Sequence, residues 1–111
     1  MRVWYRVRNL GLARAFYTDV LGFTETFVAD DSAWVALDRG NTEIALAEGE
    51  PQTEDEAGVA TIDVEDIKAE RERLERNGVR VGTVFELQGA MRLLDVYDLD
   101  GNRVQLAEDV S

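Results

Sequence analysis

Arg2, Trp4 and Arg6 alternate through the opening "RVWYRVR". In a strand that period lines one face with two guanidinium groups and an indole, and the other with Val3, Tyr5 and Val7. Guanidinium groups hydrogen-bond anions and stack on flat rings, so such a face suits a planar or anionic small molecule. Two absences narrow the chemistry. The chain has no histidine, the side chain most used as a metal ligand and as a general base near neutral pH. It has no cysteine either, which removes disulfides, thiolate metal sites and thiol nucleophiles. Ser-His-Asp and Cys-His mechanisms are therefore excluded unless another chain supplies the histidine. Among the carboxylates, Glu43 is a candidate general base only if folding buries it. The acids of "DLDGN", Asp98 and Asp100, with Asn102, suit turn positions, and Gly101 suits a positive φ. The further ligands of a calcium-binding loop are missing.

Charge restricts the partners. The chain carries 23 acidic and 12 basic residues, a formal net charge of −11, which disfavours nucleic acid and anionic membrane surfaces. Lys68 is the sole lysine among otherwise arginine cations. An acidic, lysine-poor chain fits a high-salt cytoplasm, where screening weakens repulsion between carboxylates, and it fits equally a genome composition that favours arginine. No apolar run reaches the roughly 18 residues of a membrane span and no secretory leader pattern opens the chain, so a soluble, cytoplasmic protein is expected.

At 111 residues one domain is expected. After the first strand, Asn9 can cap a helix whose apolar stripe is Ala13, Phe16, Tyr17, Val20 and Leu21, stopped by Gly22. Three short strands follow, near 23–29, 33–38 and 42–48. The segment 49–57, with the acidic run Glu54-Asp55-Glu56, reads as a solvated linker. The pattern then restarts: "VATIDV" alternates, Asp66 caps a helix over 67–75 with apolar Ile67 and Leu74, Asn77-Gly78 ends it, and strands are expected near 79–84, 91–97 and 103–108. The extra residues of the second half are assigned to the loop containing "ELQGA". Each half is βαβββ, about 1–48 and 58–111. The stretch "GNTEIALAE" and its echo "GNRVQLAE" close the two halves. One such half has a sheet with a helix on one face only, so two must join to bury a core. The fold class is α+β, two βαβββ modules forming a cup-shaped mixed sheet.

Two stretches, "RVRNLGLARAFYTDVLGF" and "DLDGNRVQL", resemble the opening and closing motifs of the vicinal oxygen chelate superfamily, which includes glyoxalase I, extradiol dioxygenases and bleomycin resistance proteins. Leu99 stands where the family's closing motif has proline. The resemblance implies a ligand-binding cup, frequent homodimerisation and, in many members, a divalent metal held by histidine and carboxylate ligands. Carried onto this chain, the four ligand positions are Arg2, Ala45, Val59 and Gln105, none a histidine or a carboxylate. A metal site is therefore not expected, and a site rebuilt from Glu43, Asp63 or Glu108 is the exception to watch for.

By alternation, the residues sharing a face with these positions are Trp4 and Arg6, Glu43 and Ala47, Thr61 and Asp63, and Arg103 and Ala107. The candidate ligand-binding set is Arg2, Trp4, Arg6, Glu43, Thr61, Asp63, Arg103 and Gln105. Competing structural roles stand beside it: an Arg6–Asp63 pair across the module junction, core packing for Trp4, solvation for Arg2 and Gln105. The resemblance implies a metal-independent module that binds a small planar or anionic molecule. The alternative is a metal-dependent lyase, isomerase or dioxygenase with a non-standard site.

Overall fold

The computed structural model describes residues 2–52 and 57–111; the run Glu54-Asp55-Glu56 lies outside the described residues. Strand β1 is Arg2–Val7, and Tyr5 and Val7 are fully buried while Trp4 and Arg6 are exposed, as its period of two requires. Helix α1, Leu10–Ala15, starts at Asn9, whose side chain accepts the Leu12 N–H. It runs on as a π-helical turn over Phe16–Val20. There the Thr18 hydroxyl donates to the Arg14 carbonyl at 2.8 Å, a side-chain bond that competes with the regular ladder, and the Leu21 N–H reaches back to the Phe16 carbonyl. The predicted stripe faces the core, with Ala13, Phe16, Tyr17 and Leu21 buried. Gly22, at φ +74°, turns the chain into β2 (Thr24–Val28), followed by β3 (Trp34–Arg39) and β4 (Thr42–Glu48).

The second module repeats this order. Strand β5 is Ala60–Asp63, so Val59 lies just outside it. Helix α2, Ile67–Arg76, is capped by Asp66, and its two buried residues are Ile67 and Leu74. The strand expected near 79–84 is not continuous. Val81 forms an isolated antiparallel bridge to Val96, and regular pairing begins only with β6 at Phe85–Leu87, where a loop was expected. Val79, Val81 and Val84 turn toward the core, which interrupts the alternation a ladder needs. Gln88 and Gly89, both at positive φ, make the tight turn into β7 (Met91–Tyr97), and β8 is Arg103–Asp109.

The sheets are equivalent, with orders β1-β4-β3-β2 and β5-β8-β7-β6. The pairs β1/β4 and β5/β8 are parallel and the others antiparallel, giving two mixed sheets with one helix each. The helix-covered faces contribute Tyr5, Val7, Ile44, Leu46, Ala60, Ile62, Val104 and Leu106 to one shared cluster. Among the described residues no helix is long and apolar enough to cross a membrane.

The modules clasp each other reciprocally. The turn of the first reaches α2 of the second, with Arg39 on Glu70 at 2.8 Å, and Thr42 donates its hydroxyl to the Thr61 carbonyl. The turn of the second reaches the first helix, with the Tyr17 hydroxyl donating to Asp98 at 2.7 Å, and Asn102 donates to the Arg6 carbonyl at 3.0 Å. Tyr5 joins strands β5 and β8 of the other module, accepting the Ala60 N–H and donating to the Arg103 carbonyl. The shared "LAE" ending has a local cause as well. Glu48 accepts the Leu10 N–H and Glu108 the Ile67 N–H, so each closing strand delivers a carboxylate to the N-terminus of its own module's helix, where the dipole favours it.

The "GN" echo conceals two different turns. Arg39 pairs directly with Thr42 around Gly40-Asn41, whereas Tyr97 pairs with Arg103 around the longer segment 98–102. In the longer turn Asp98 accepts the N–H groups of Asp100 and Asn102.

Candidate functional site

Strand register fixes which side chains share the open faces. On the first sheet Arg2, Trp4 and Arg6 stand opposite Glu43, Ala45 and Ala47, and these stand opposite Asp38, Ala36 and Trp34. Phe27 extends the row from β2, opposite Ala36. On the second sheet Thr61 and Asp63 stand opposite Gln105 and Ala107, with Asp95 and Leu93 beyond.

The first face is an aromatic wall. The Trp4 and Trp34 rings are 5.0 Å apart between centroids, and Phe27 and Trp34 are also 5.0 Å apart. The Arg2 guanidinium lies 6.0 Å from the Trp4 ring centre and 5.7 Å from that of Trp34, within cation–π range, and Arg2 forms a salt bridge to Glu43. Trp4 remains 42% exposed and Phe27 50%, while Ala45 and Ala36 beside them are sealed. Core packing therefore does not account for Trp4, whose ring stands on the outer face. Trp34 and Phe27 were not among the sequence candidates. The signal was present, since "WVALD" alternates Trp34, Ala36 and Asp38 against buried Val35 and Leu37, but it becomes a site only once β3 is laid beside β4.

The remaining candidates separate from this cluster. Arg6 runs its stem against Gly49, and among the described residues neither Arg6 nor Asp63 forms an ion pair. The expected Arg6–Asp63 bridge is thus absent, because the junction is built from the opposite side of β1, through Tyr5, and from the Arg6 carbonyl. Arg103 pairs with Asp95 at 3.2 Å, and Gln105 sits between Thr61 and Asp95 in the sheet. Glu43 and Thr61 meet in a junction cavity of about 300 Å³ that Val3, Asn41, Thr42, Val59 and Ala60 complete. Glu43 is exposed and engaged by Arg2, so the burial that a general base would need is not there.

The residues do not fit a family-type metal. A divalent cation held by nitrogen and oxygen ligands needs several imidazoles or carboxylates. Here Arg2 brings a positive charge, Ala45 and Val59 bring no donor atom, and Gln105 alone brings a neutral oxygen. A rebuilt site fails on geometry. Glu108 points to the helix side, where it holds the Ile67 N–H and Arg92, away from Glu43. Among the described residues no group of three or more acidic side chains is placed to hold a metal ion.

Two carboxylates are held below their usual range by arginines. For Glu25 the hydrogen bond from Arg14 is the main cause. For Glu70 burial pushes upward, but the hydrogen bonds and charges of Arg39 and Arg73 together outweigh it. Tyr17 moves the other way, well above its usual value, through burial first and then the neighbouring Asp98 charge. Tyr17 and Glu70 serve the junction between modules, and Glu25 ties β2 to α1 through Arg14.

Residues 2–106 match the model of the Glyoxalase/Bleomycin resistance protein/Dioxygenase superfamily. Among solved structures, an integron cassette protein from the mobile metagenome of the Halifax Harbour sewage outfall aligns with TM-score 0.82 at 22% identity, covering 97% of this chain and 96% of that one. The fosfomycin resistance protein FosX from Listeria monocytogenes aligns with TM-score 0.80 at 19% identity, covering 98% and 90%. TnmS3, an antibiotic binding protein from Streptomyces sp. CB03234, aligns with TM-score 0.75 at 19% identity, covering 97% and 93%. At these identities the likeness speaks for the fold. No curated protein matches in sequence.

Proposed function

The chain belongs to the Glyoxalase/Bleomycin resistance protein/Dioxygenase superfamily, and from that premise we propose that it is a metal-independent binding protein, holding a small molecule against the open face of its first sheet. The observation that carries this reading is the fate of the family's ligand positions. Where metal-dependent members place imidazoles and carboxylates, this chain has Arg2, Ala45, Val59 and Gln105, and Ala45 is sealed beneath the aromatic wall. An exposed wall of Trp4, Trp34 and Phe27 provides what a binder needs instead: ring area at low entropic cost, with polar groups at its border. TnmS3, which has a similar fold, is an antibiotic binding protein, and this supports a binding role.

The proposal includes a second copy of the chain. The two open faces carry exposed apolar side chains, Trp4 and Phe27 on the first sheet and Phe85 and Leu87 on the second, and exposure of that kind marks an interaction surface. In the assembled dimer each cup is walled by both copies. We place the protein in the cytoplasm, and its −11 charge disfavours nucleic acid and anionic membrane as partners.

Elemental analysis of purified protein tests the core of this reading. Substoichiometric transition metal is the expected result, and a stoichiometric metal that survives dialysis overturns it in favour of a metal-dependent lyase, isomerase or dioxygenase. Sedimentation at micromolar concentration tests the assembly, with a dimer expected.

A further inference from the structure

The arginines of the open face suggest an anion site at first sight, but two of the three are already paired with carboxylates. Arg2 is bound by Glu43 and Arg103 by Asp95. Arg6, in the row of Ala47 and Trp34, runs its stem against Gly49. The ring faces of Trp4 and Trp34 meanwhile already hold a cation: the Arg2 guanidinium sits over both, and Glu43 supplies the counter-charge. Two indoles, a phenyl ring and a carboxylate together make the surroundings that bind organic cations, because ring quadrupoles attract positive charge and the carboxylate neutralises it.

We propose that Trp4, Trp34, Phe27 and Glu43 form a binding site for an organic cation, of ammonium or guanidinium type, and that the chain's own Arg2 occupies this site until the ligand displaces it. This rests on the small-molecule binding reading above and specifies the charge of the ligand. Three observations agree. Trp4 and Phe27 keep 42% and 50% of their surface open, so an entering group finds ring area. The Arg2 and Glu43 side chains are 34% and 45% exposed, so their pair is solvated, weak and easily exchanged. The net charge of −11 draws cations toward the protein and repels anions. Arg2 acts here as a resident competitor, which sets a threshold that only a cation with better ring contact passes.

Trp4 and Trp34 are the only tryptophans of the chain, so intrinsic emission reports on this site alone. The experiment titrates benzyltrimethylammonium, and separately benzoate, at constant ionic strength, into the native protein and into Arg2→Ala and Glu43→Gln. Both substitutions lie at partly exposed positions outside the core. The expected result is a saturable emission change with benzyltrimethylammonium. Its affinity should rise about threefold in Arg2→Ala, as loss of an exposed ion pair allows, and fall about tenfold in Glu43→Gln. Silence toward the ammonium, or an ammonium response lost in Arg2→Ala, overturns the cation assignment. A saturable benzoate response that disappears in Arg2→Ala overturns it too, yet leaves the binding reading standing. That reading fails separately, on finding a stoichiometric metal.

Discussion

Replacing Tyr17 by Phe tests the reciprocal clasp at its most buried point. Tyr17 is 0% exposed, its hydroxyl donates to Asp98 at 2.7 Å, and Asp98 in turn accepts the side-chain NH2 of Asn102 and the N–H groups of Asp100 and Asn102. Phenylalanine keeps the ring contacts with Tyr5, Phe16 and Phe23 and deletes only the donor. A buried hydrogen bond to a carboxylate contributes about 2 kcal/mol, and Asp98 keeps its other donors, so a loss of about 2 kcal/mol is expected. For a domain of this size that lowers the melting temperature by roughly 8 °C. Urea unfolding at pH 7, with the midpoint shifted and the slope unchanged, measures it. The pH dependence adds a second readout. Burial and the Asp98 charge raise the folded-state value of Tyr17, so the folded form retains its proton where the unfolded chain releases it. Its contribution is fully present below about pH 10 and is lost as pH rises above that. The Phe variant should lack that part of the alkaline loss. A variant within about 0.5 kcal/mol of the native protein, with the same alkaline limb, would refute the view that this bond ties the modules together.

The acid limb should belong in part to Glu70. Its carboxyl is held below the usual value by Arg39 and Arg73 against the upward push of burial, so its stabilisation is present above about pH 4.5 and fades as pH falls through the lower folded value; a Glu70→Gln variant followed by thermal melts should show a flatter decline there. Glu108→Ala removes the acceptor of the Ile67 N–H and a partner of Arg92, and should cost about 1 to 2 kcal/mol in urea unfolding, with the early amides of α2 exchanging faster. Gly101 has φ +83° and open space where a Cβ would stand, so Gly101→Ala should lose about 1 kcal/mol through backbone strain alone; an unchanged midpoint would show that the turn relaxes.

Much of the architecture was legible in local pattern. Strand alternation put Tyr5, Val7, Ile44, Leu46, Ile62 and Leu106 inside, Asn9 and Asp66 announced the helix starts, and the paired endings announced two modules. The segment 79–84 escaped because its valines serve the core without holding a regular ladder, and periodicity cannot distinguish those two demands. The Arg6–Asp63 bridge failed for a different reason. Repeat equivalence says which residues occupy like positions, but not that they touch, and the modules meet through each other's turns.

The sequence by itself determined which side-chain chemistry this chain cannot supply, since a chain without histidine or cysteine carries those absences into any fold, and it determined the βαβββ repeat through periodicities that are local. Only the tertiary structure decided what the open face offers. Trp4, Trp34 and Phe27 come from three separate strands, and Arg2 meets Glu43 across the parallel β1/β4 pair. Contacts between distant segments depend on strand order and register, which no local pattern contains, and so the aromatic wall and its resident arginine emerge only when the sheet is assembled.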